Sequence, residues 1–179
     1  VDGRGTDRVL LHLLRGTATL RPARPDDMER AWEWRNDPAT RRYIHDPSPI
    51  DLATHRAWWQ NSLKSPNRDL MIAHCANMDI GTIRFDYQMT VATISIYIDP
   101  NLTGLGLGST ILRTGTAWIK NNRPDVTELR AEVLPMNRSS NRSFAAAGFT
   151  WDGEGVWTRS LWSDNMQPST EEGGHNENR

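Results

Sequence analysis

The chain has 179 residues, and its 21 basic and 22 acidic side chains leave a formal net charge of −1. This length suits one domain with a sizeable core, and the balanced charge excludes strong electrostatic attraction to nucleic acid or to an anionic membrane. The sequence holds no run of about 18 apolar residues, so it predicts no membrane-spanning helix. Cys75 is the single cysteine, which excludes an intrachain disulfide, fits a reducing compartment and leads us to expect a cytoplasmic protein.

The two ends of the chain differ from its middle in composition. Residues 1–16 are rich in Gly and Arg and begin with Val rather than Met, so we interpret them as a linker or as the remnant of a preceding domain. Residues 164–179 contain almost no apolar side chain and are predicted to be disordered. We therefore expect one folded domain over residues 17–163.

Helical and strand patterns alternate through this domain. The predicted elements are a strand at 17–20, helices at about 26–36 and 51–63, strands at 69–75, 80–87 and 91–98, a helix at about 107–119, a strand at 128–134, a helix at about 137–147, and a hairpin of strands 149–151 and 156–161. Asp51, and either Asp26 or Asp27, are suitable N-caps for the first two helices, and Asp37-Pro38 is expected to end the first one. The order βααβββαβαββ predicts a mixed α/β domain with one sheet.

Aromatic residues at the first helices have two interpretations, because a tryptophan ring can fill a core or line a ligand pocket. Met28, Ala31 and Trp32 form the apolar stripe of the first predicted helix, whereas Trp34 lies off it. Core packing alone does not require Trp34, so its ring is a candidate for ligand contact. The second helix places His55 on its inward stripe.

A glycine-rich loop, Thr103–Gly108, lies between a strand and a helix. Glycine lets the backbone approach a ligand closely and the following helix offers unpaired N–H groups, so the loop suits a pyrophosphate. A Walker loop would require Lys before Ser109, where Gly108 stands, and a dinucleotide fingerprint would require G-x-G-x-x-G within a parallel unit. A plain glycine-rich turn is the structural alternative.

Two motifs at matching separation resemble the GNAT superfamily of N-acetyltransferases. Gly106 and Gly108 occupy the glycine positions of its acyl-CoA motif, Q/R-x-x-G-x-G/A, and Thr103 stands where Gln or Arg is usual. The run Asn137–Phe149 reads Asn-x-x-Ser-x-x-x-Phe-x-x-x-Gly-Phe, which is the family's next marker. The resemblance covers about residues 17–162 and implies that acetyl-CoA is the acyl donor.

The resemblance also implies a single GNAT fold, with a mixed and mostly antiparallel sheet flanked by about four helices. Two parallel strands, Ile94–Ile98 and Leu129–Leu134, would splay apart and admit the pantetheine arm. A backbone N–H near Ile98 would then stabilise the oxyanion of the tetrahedral intermediate. The cofactor-binding residues that the resemblance implies are Ile96, Tyr97, Ile98, Thr103, Gly104, Leu105, Gly106, Leu107, Gly108, Ser109, Asn137, Ser140 and Phe144.

The catalytic residues are less evident. Many family members carry Tyr at the position of Phe144, where its hydroxyl protonates the leaving thiolate. Phe cannot donate a proton, so another group or water does so, or the thiolate leaves unprotonated, as an ordinary thiol pKa near ~8.5 permits. Glu132 and His55 are the candidate bases for the amine proton. The structural alternatives are a solvated strand glutamate for Glu132 and a packed core histidine for His55.

Three further segments resemble a subgroup that acetylates the 4-amino group of a UDP-linked 4-amino-4,6-dideoxy sugar in pseudaminic acid biosynthesis. They are Trp32–Asp37, His55–Trp59 and Gly81–Asp86. The substrate-binding residues implied are Trp34, Arg35, Asn36, His55, Trp58 and Arg84. Residues 1–9 also resemble the last segment of the UDP-sugar hydrolase of that pathway, which suggests a fused or partnered hydrolase.

Two other functions are compatible with the sequence. The pair Ser140 and Phe144 is similar to that of the ribosomal-protein alanine acetyltransferases, so a protein amino terminus is an alternative acceptor. The absence of Tyr at position 144 also allows a domain that binds acyl-CoA without catalysis. Four arginines able to hold a phosphate favour the sugar nucleotide: Arg35, Arg41, Arg42 and Arg84. We expect no metal, nucleic acid or membrane partner.

Overall fold

A computed structural model describes residues 18–75 and 77–162. The predicted segments 1–16 and 164–179 lie outside the described residues. In the part of the chain that is described, no helix combines the length and apolarity needed to cross a membrane.

Five α-helices and seven β-strands lie within the described residues. They are β1 (Thr19–Pro22), α1 (Met28–Asn36), α2 (Pro38–Arg41), α3 (Leu52–Lys64), β2 (Arg68–Cys75), β3 (Met78–Gln88), β4 (Val91–Ile98), α4 (Leu107–Asn122), β5 (Glu128–Glu132), α5 (Arg138–Ala146), β6 (Thr150–Trp151) and β7 (Val156–Ser160).

The strands form one sheet in the order β1-β2-β3-β4-β5-β7-β6. The β4–β5 pair is parallel, and every other neighbouring pair is antiparallel. The mixed, mostly antiparallel architecture predicted from the sequence is therefore confirmed.

Side-chain capping explains where α2 and α3 begin. The Asp51 carboxylate accepts the Thr54 backbone N–H at 2.9 Å, so α3 begins where the sequence predicts. The short helix α2 was not predicted, because Asp37-Pro38 was interpreted only as a helix end. In fact Pro38 occupies the first position of α2, and the Asp37 carboxylate accepts the Ala39 N–H at 2.7 Å. Proline suits that position, since the first N–H of a helix has no intrahelical partner.

The buried face of α1 differs from the predicted stripe. Trp34 is only 5% exposed and lies on the buried face with Met28 and Ala31, whereas Trp32 is half-buried. The indole Nε1 of Trp32 donates instead to the Ile50 carbonyl at 2.7 Å. Trp34 is thus a buried residue of α1, and Trp32 fastens the chain that leads to α3.

Helices cover both faces of the sheet. On one face, α4 and α5 join the larger core with Ile83 and Phe85 of β3. Gly115 lets α4 approach this face closely, because a Cβ there would lie 2.7 Å from Cδ1 of Ile83. On the other face, α1 and α3 form a smaller core with Leu70 and Ile72 of β2, which alternate with β2 residues of the larger core.

The parallel strands separate after a short paired stretch. Their register joins Val91–Thr93 to Glu128–Arg130, while Ile94–Ile98 continues to pair with β3 on its other side. The second half of β4 therefore turns one backbone edge toward an opening between β4 and β5. The splay predicted from the sequence is confirmed.

Candidate active site

The opening between β4 and β5 leads into a cleft of about 420 Å³. Five segments contribute its lining: residues from 39–45 after α1, 94–98 of β4, residues of the 103–108 loop, the end of β5, and 137–144 at the start of α5. The sheet thus presents one continuous space to the glycine loop, to the motif of α5 and to the segment that precedes α3.

The backbone of the glycine loop has a conformation that residues with a Cβ rarely adopt. Gly104 has a φ of 81° and Gly106 a φ of 78°, both in the left-handed region. Gly106 is the N-cap of α4, whose 16 residues begin at Leu107. The first turn of such a helix offers N–H groups without intrahelical partners and a positive dipole end. The loop is therefore suited to a pyrophosphate.

Gly108 brings two helices into contact beside the cleft. A Cβ at this position would lie 2.7 Å from Oγ and 3.1 Å from Cβ of Ser143 on α5. Both residues line the cleft. The lack of a Cβ at Gly108 consequently permits the close approach of α4 to α5.

The start of α5 forms one wall of the cleft. The Asn137 side-chain oxygen accepts the Ser140 backbone N–H at 3.1 Å and caps the helix. Phe144 is 2% exposed, and its ring meets that of Phe149 edge-on, with centroids 5.1 Å apart. Phe144 therefore supplies a packed apolar surface and no proton.

Among the described residues that line the cleft, only Glu132 carries a carboxylate. Its side chain is 59% exposed and lies 3.9 Å from the Arg130 guanidinium. Leu129 and Ala131, which alternate with it along β5, are buried in the larger core. Glu132 thus lies on the sheet face opposite α4 and α5, as its alternation in the sequence predicts.

The segment after α1 supplies basic and aromatic side chains to the opposite wall. Arg42, Tyr43, Ile44 and His45 line the cleft. The guanidinium carbon of Arg42 lies 4.8 Å from the centroid of the Tyr43 ring, a cation–π contact. This end of the cleft can receive a ligand that combines negative charge with a ring.

The end of α1 anchors this segment. Asn36 accepts the Ile50 N–H at 2.9 Å and donates from Nδ2 to the Ile50 carbonyl at 2.7 Å. Arg41 donates to the Pro47 carbonyl at 2.8 Å. Asn36, a predicted substrate residue, therefore uses its amide to hold the segment in place, and its contact with a substrate stays a prediction.

Three other predicted substrate residues are buried in the helical layer. Trp34, Arg35 and His55 are 5%, 8% and 5% exposed, and the His55 ring lies 5.5 Å from that of Trp58 and 5.7 Å from that of Trp59. Within the described residues, Nη1 of Arg35 and Nε2 of His55 are buried and have no hydrogen-bond partner. These residues are not among those that line the cleft.

The environment of His55 keeps its imidazole neutral. Its pKa is lowered from the ordinary value of 6.5, mainly because burial removes water from the charged form. A hydrogen bond to the Met28 backbone opposes this effect, and the nearby charge of Arg35 reinforces it. At pH 7 His55 is therefore uncharged.

Arg84 reaches the cleft through a neighbouring strand. Its guanidinium lies 5.6 Å from the Trp58 ring centroid and pairs with Asp86 at 2.7 Å. It also donates to the Ser95 hydroxyl at 3.4 Å, and Ser95 lines the cleft. Arg84 thus links the layer around Trp58 to β4.

The structure brings most of the predicted cofactor residues together. Those that line the cleft are Ile96, Tyr97, Ile98, Thr103, Gly104, Gly108, Asn137, Ser140 and Phe144. Leu105, Gly106, Leu107 and Ser109 complete the same loop and helix start, where the Ser109 hydroxyl donates to the Gly106 carbonyl at 3.0 Å. Of the two candidate bases, Glu132 belongs to the cleft lining and His55 does not. The roles of all these residues stay predictions.

Sequence reasoning missed two groups of lining residues. Ser139 and Ser143 lie on α5 beside Ser140, and helical spacing from the recognised motif could have identified them. Tyr43, Ile44 and His45 lie in a stretch without periodicity, so only their position in the assembled fold reveals them.

The sequence matches the family of acetyltransferase (GNAT) domains over residues 18–150. The chain belongs to this family. The predicted enzyme class, an N-acetyltransferase, is thereby confirmed.

Solved acetyltransferase structures share the fold. Spermidine N-acetyltransferase from Vibrio cholerae, in complex with CoA and spermine, superposes with a TM-score of 0.72 at 14% identity, over 80% of this chain and 95% of that one. Aminoglycoside acetyltransferase AAC(6')-Ib, in complex with CoA and kanamycin, gives 0.69 at 19% identity, over 80% and 95%. RimL, a ribosomal L7/L12 α-N-protein acetyltransferase in complex with CoA, gives 0.69 at 16% identity, over 82% and 96%.

These superpositions confirm the predicted GNAT fold. The CoA in the three complexes agrees with acetyl-CoA as the predicted donor. No curated protein sequence matches the chain.

Proposed function

We propose that this protein transfers an acetyl group from acetyl-CoA to a primary amine, and that the acceptor is the 4-amino group of a UDP-linked amino-dideoxy sugar in the cytoplasm. The observation that carries the proposal is the cleft at the β4–β5 splay. It joins a glycine loop suited to an anion, Glu132 as the one carboxylate among the described lining residues, and a basic, aromatic segment that contains Arg42 and Tyr43.

The donor lies along β4 in this proposal. The pyrophosphate binds at the glycine loop and the first turn of α4, where backbone N–H groups and the helix dipole favour anions. The pantetheine arm pairs with the free edge of β4 between Ile94 and Ile98. A β4 N–H near Ile98 then donates to the thioester oxygen and stabilises the tetrahedral oxyanion.

Acetyl transfer proceeds by direct attack. The neutral amine forms a bond to the thioester carbon, and Glu132 takes the amine proton directly or through one water. The oxyanion then collapses, the C–S bond breaks, and the sulfur leaves with the bonding electron pair. Because an ordinary thiol has a pKa near ~8.5, release as thiolate is feasible without a tyrosine at position 144.

The acceptor end favours an anionic, ring-bearing substrate. Arg42 and Tyr43 face the cleft and pair a guanidinium with an aromatic ring, which suits a phosphate beside a sugar or uracil. Contacts of the substrate with Trp34, Arg35, Asn36, His55, Trp58 and Arg84 are part of the proposal, although none of these residues lines the cleft. The sequence of residues 1–9 supports a UDP-sugar hydrolase as a fused or associated partner.

Parallel assays separate the acceptor classes. Acetyl transfer would be measured to a UDP-linked 4-amino sugar and to peptides that begin with Ala or Ser. We expect turnover of the sugar nucleotide. Turnover of the peptide alone would replace our acceptor with a protein amino terminus, the alternative that the Ser140 and Phe144 pattern favours.

The donor and the base need separate tests. Acetyl-CoA at millimolar concentration should raise the melting temperature by ligand linkage, and no shift would refute acyl-CoA binding. Glu132→Gln should lower kcat at least tenfold, whereas Glu128→Gln on the same strand should leave it within about twofold. His55→Ala tests the second candidate base. If neither Glu132→Gln nor His55→Ala reaches a tenfold loss, both base assignments fail.

A further inference from the structure

Asn141 holds the loop that joins β5 to α5. The two N–H bonds of its Nδ2 are shared among three carbonyls, those of Asn137 at 3.0 Å, Leu134 at 3.2 Å and Pro135 at 3.3 Å. Its Oδ1 accepts the indole Nε1–H of Trp157 at 2.8 Å. One amide thus fastens most of the loop and is itself oriented by a tryptophan on another strand.

Trp157 connects this amide to two other parts of the cleft wall. It is 7% exposed and pairs with Ala131 across the β5–β7 ladder. Its ring stacks on Phe144, with centroids 6.2 Å apart and planes 25° apart, and Phe144 lines the cleft. A substitution of Trp157 should therefore affect the position of the β5–α5 loop, through Asn141, and that of the cleft surface, through Phe144.

The loop needs such a support because the β4–β5 ladder ends at Arg130. Beyond that residue, the separation between β4 and the opposite wall is not set by hydrogen bonds between these two strands. Glu132 and Asn137, on either side of the loop, both belong to that wall. The width of the space for an acyl-CoA arm therefore depends on the contacts that fix the β5–α5 loop on its side away from β4.

We propose that Asn141 and Trp157 are positioning residues for acyl-CoA: together they fix the β5–α5 loop, and so set the width of the cleft that receives the pantetheine arm. This inference rests on the proposed function, because it requires acyl-CoA in the β4–β5 opening. Neither residue touches the reacting atoms. Substitution of either residue should therefore weaken the binding of acyl-CoA and leave the binding of the acceptor amine unchanged.

The test is Trp157→Phe, which removes the indole N–H and keeps an aromatic ring against Phe144. Trp162→Phe is the matched control, because its indole N–H also donates to a fixed acceptor, the Val126 carbonyl at 3.0 Å, away from the cleft. Loss of this partly buried hydrogen bond should raise the calorimetric Kd of the Trp157 variant for CoA about threefold to tenfold. The KM for acetyl-CoA should rise in parallel, while the acceptor KM stays within about twofold. Trp162→Phe should bind CoA like the wild type.

An unchanged Kd for CoA in Trp157→Phe overturns the inference, even if the melting temperature falls. A rise of equal size in Trp162→Phe also overturns it, since the effect would then be one of general stability. Asn141→Leu should weaken CoA binding further, and if that variant does not fold, Trp157→Phe decides alone. If wild-type protein itself binds no CoA in the same calorimeter, the proposed function fails instead.

Discussion

Gly108 offers a quantitative test of how the glycine loop works. Alanine at this position would place its Cβ 2.7 Å from Oγ and 3.1 Å from Cβ of Ser143, and 3.4 Å from Cδ1 of Ile98. Rotation of the Ser143 side chain can relieve the contact with Oγ, but the contact with Cβ requires α4 and α5 to separate by a few tenths of an ångström. Overpacking of this kind costs about 1–3 kcal/mol. In a domain of roughly 150 residues, that corresponds to a fall in melting temperature of about 3–10 °C.

The same displacement should weaken donor binding. Because the first turn of α4 presents its N–H groups to the pyrophosphate, a shift of the helix lengthens charge-assisted hydrogen bonds worth about 1.5–3 kcal/mol each. We therefore expect the Kd of Gly108→Ala for CoA to rise about tenfold or more in isothermal titration calorimetry. The melting temperature measured by scanning calorimetry should fall together with it.

Gly115→Ala is the matched control. Its Cβ would lie 2.7 Å from Cδ1 of Ile83 and 3.0 Å from Cζ of Phe85, so it also crowds α4, but against the sheet and away from the cleft. It should lower the melting temperature and leave the Kd for CoA within about twofold. Equal Kd values for Gly108→Ala and wild type would refute the argument and leave Gly108 with a packing role alone. Ser143→Gly, which removes the clashing atoms, should restore part of the affinity lost in Gly108→Ala.

Three further outcomes follow from the contacts of the described residues. Asn36→Ala removes the amide that anchors the segment before α3. It should raise the acceptor KM about fivefold or more and leave the acetyl-CoA KM constant, which steady-state kinetics with each substrate varied in turn would show. The pKa of His55 is lowered in the folded protein, so as the pH falls below about 6.5 the unfolded chain takes up the His55 proton before the folded chain does, and the free energy of unfolding decreases. His55→Gln should therefore flatten the decline of melting temperature between pH 7 and 5. An unchanged decline would contradict this. Asp69→Ala leaves the half-buried Tyr87 hydroxyl and the Arg123 guanidinium without their shared carboxylate. It should lower the melting temperature by several degrees, while kcat measured in a standard acetyl-transfer assay stays unchanged.

Local sequence patterns were sufficient to predict every α-helix and strand except α2, in the correct order. Apolar periodicity, an N-cap at Asp51 and the glycine at Gly148, whose φ is 80°, are properties of short segments. Asp37-Pro38 marks the end of α1 as predicted, but the short helix α2 that begins at Pro38 was missed, and Trp32 was placed on a stripe that Trp34 occupies. The error at Trp32 reflects a tertiary contact, since its indole Nε1 donates to the Ile50 carbonyl.

The candidate site was predictable where function is carried by backbone. The glycine loop and the cap of α5 depend on residue types at fixed spacing, so the sequence predicts them directly. Contacts between residues on different elements do not have this property. Arg84 reaches Ser95 only because β3 and β4 are paired, and Asn141 meets Trp157 only because β7 returns beside β5. No spacing rule relates such residues, which is why the sequence predicted the glycine loop and the α5 cap but neither of these contacts.

The absence of a hydroxyl at Phe144 has a consequence for the pH dependence of turnover. Phe144 is held between Phe149 and Trp157 as part of the wall, and the serines beside it do not titrate below pH 10. If the thiolate leaves unprotonated, a rise in pH deprotonates the amine and its base without removing an essential acid, so kcat/KM should rise and then level off through pH 9.5. A falling limb between pH 8 and 9.5 would show that a titrating acid is required.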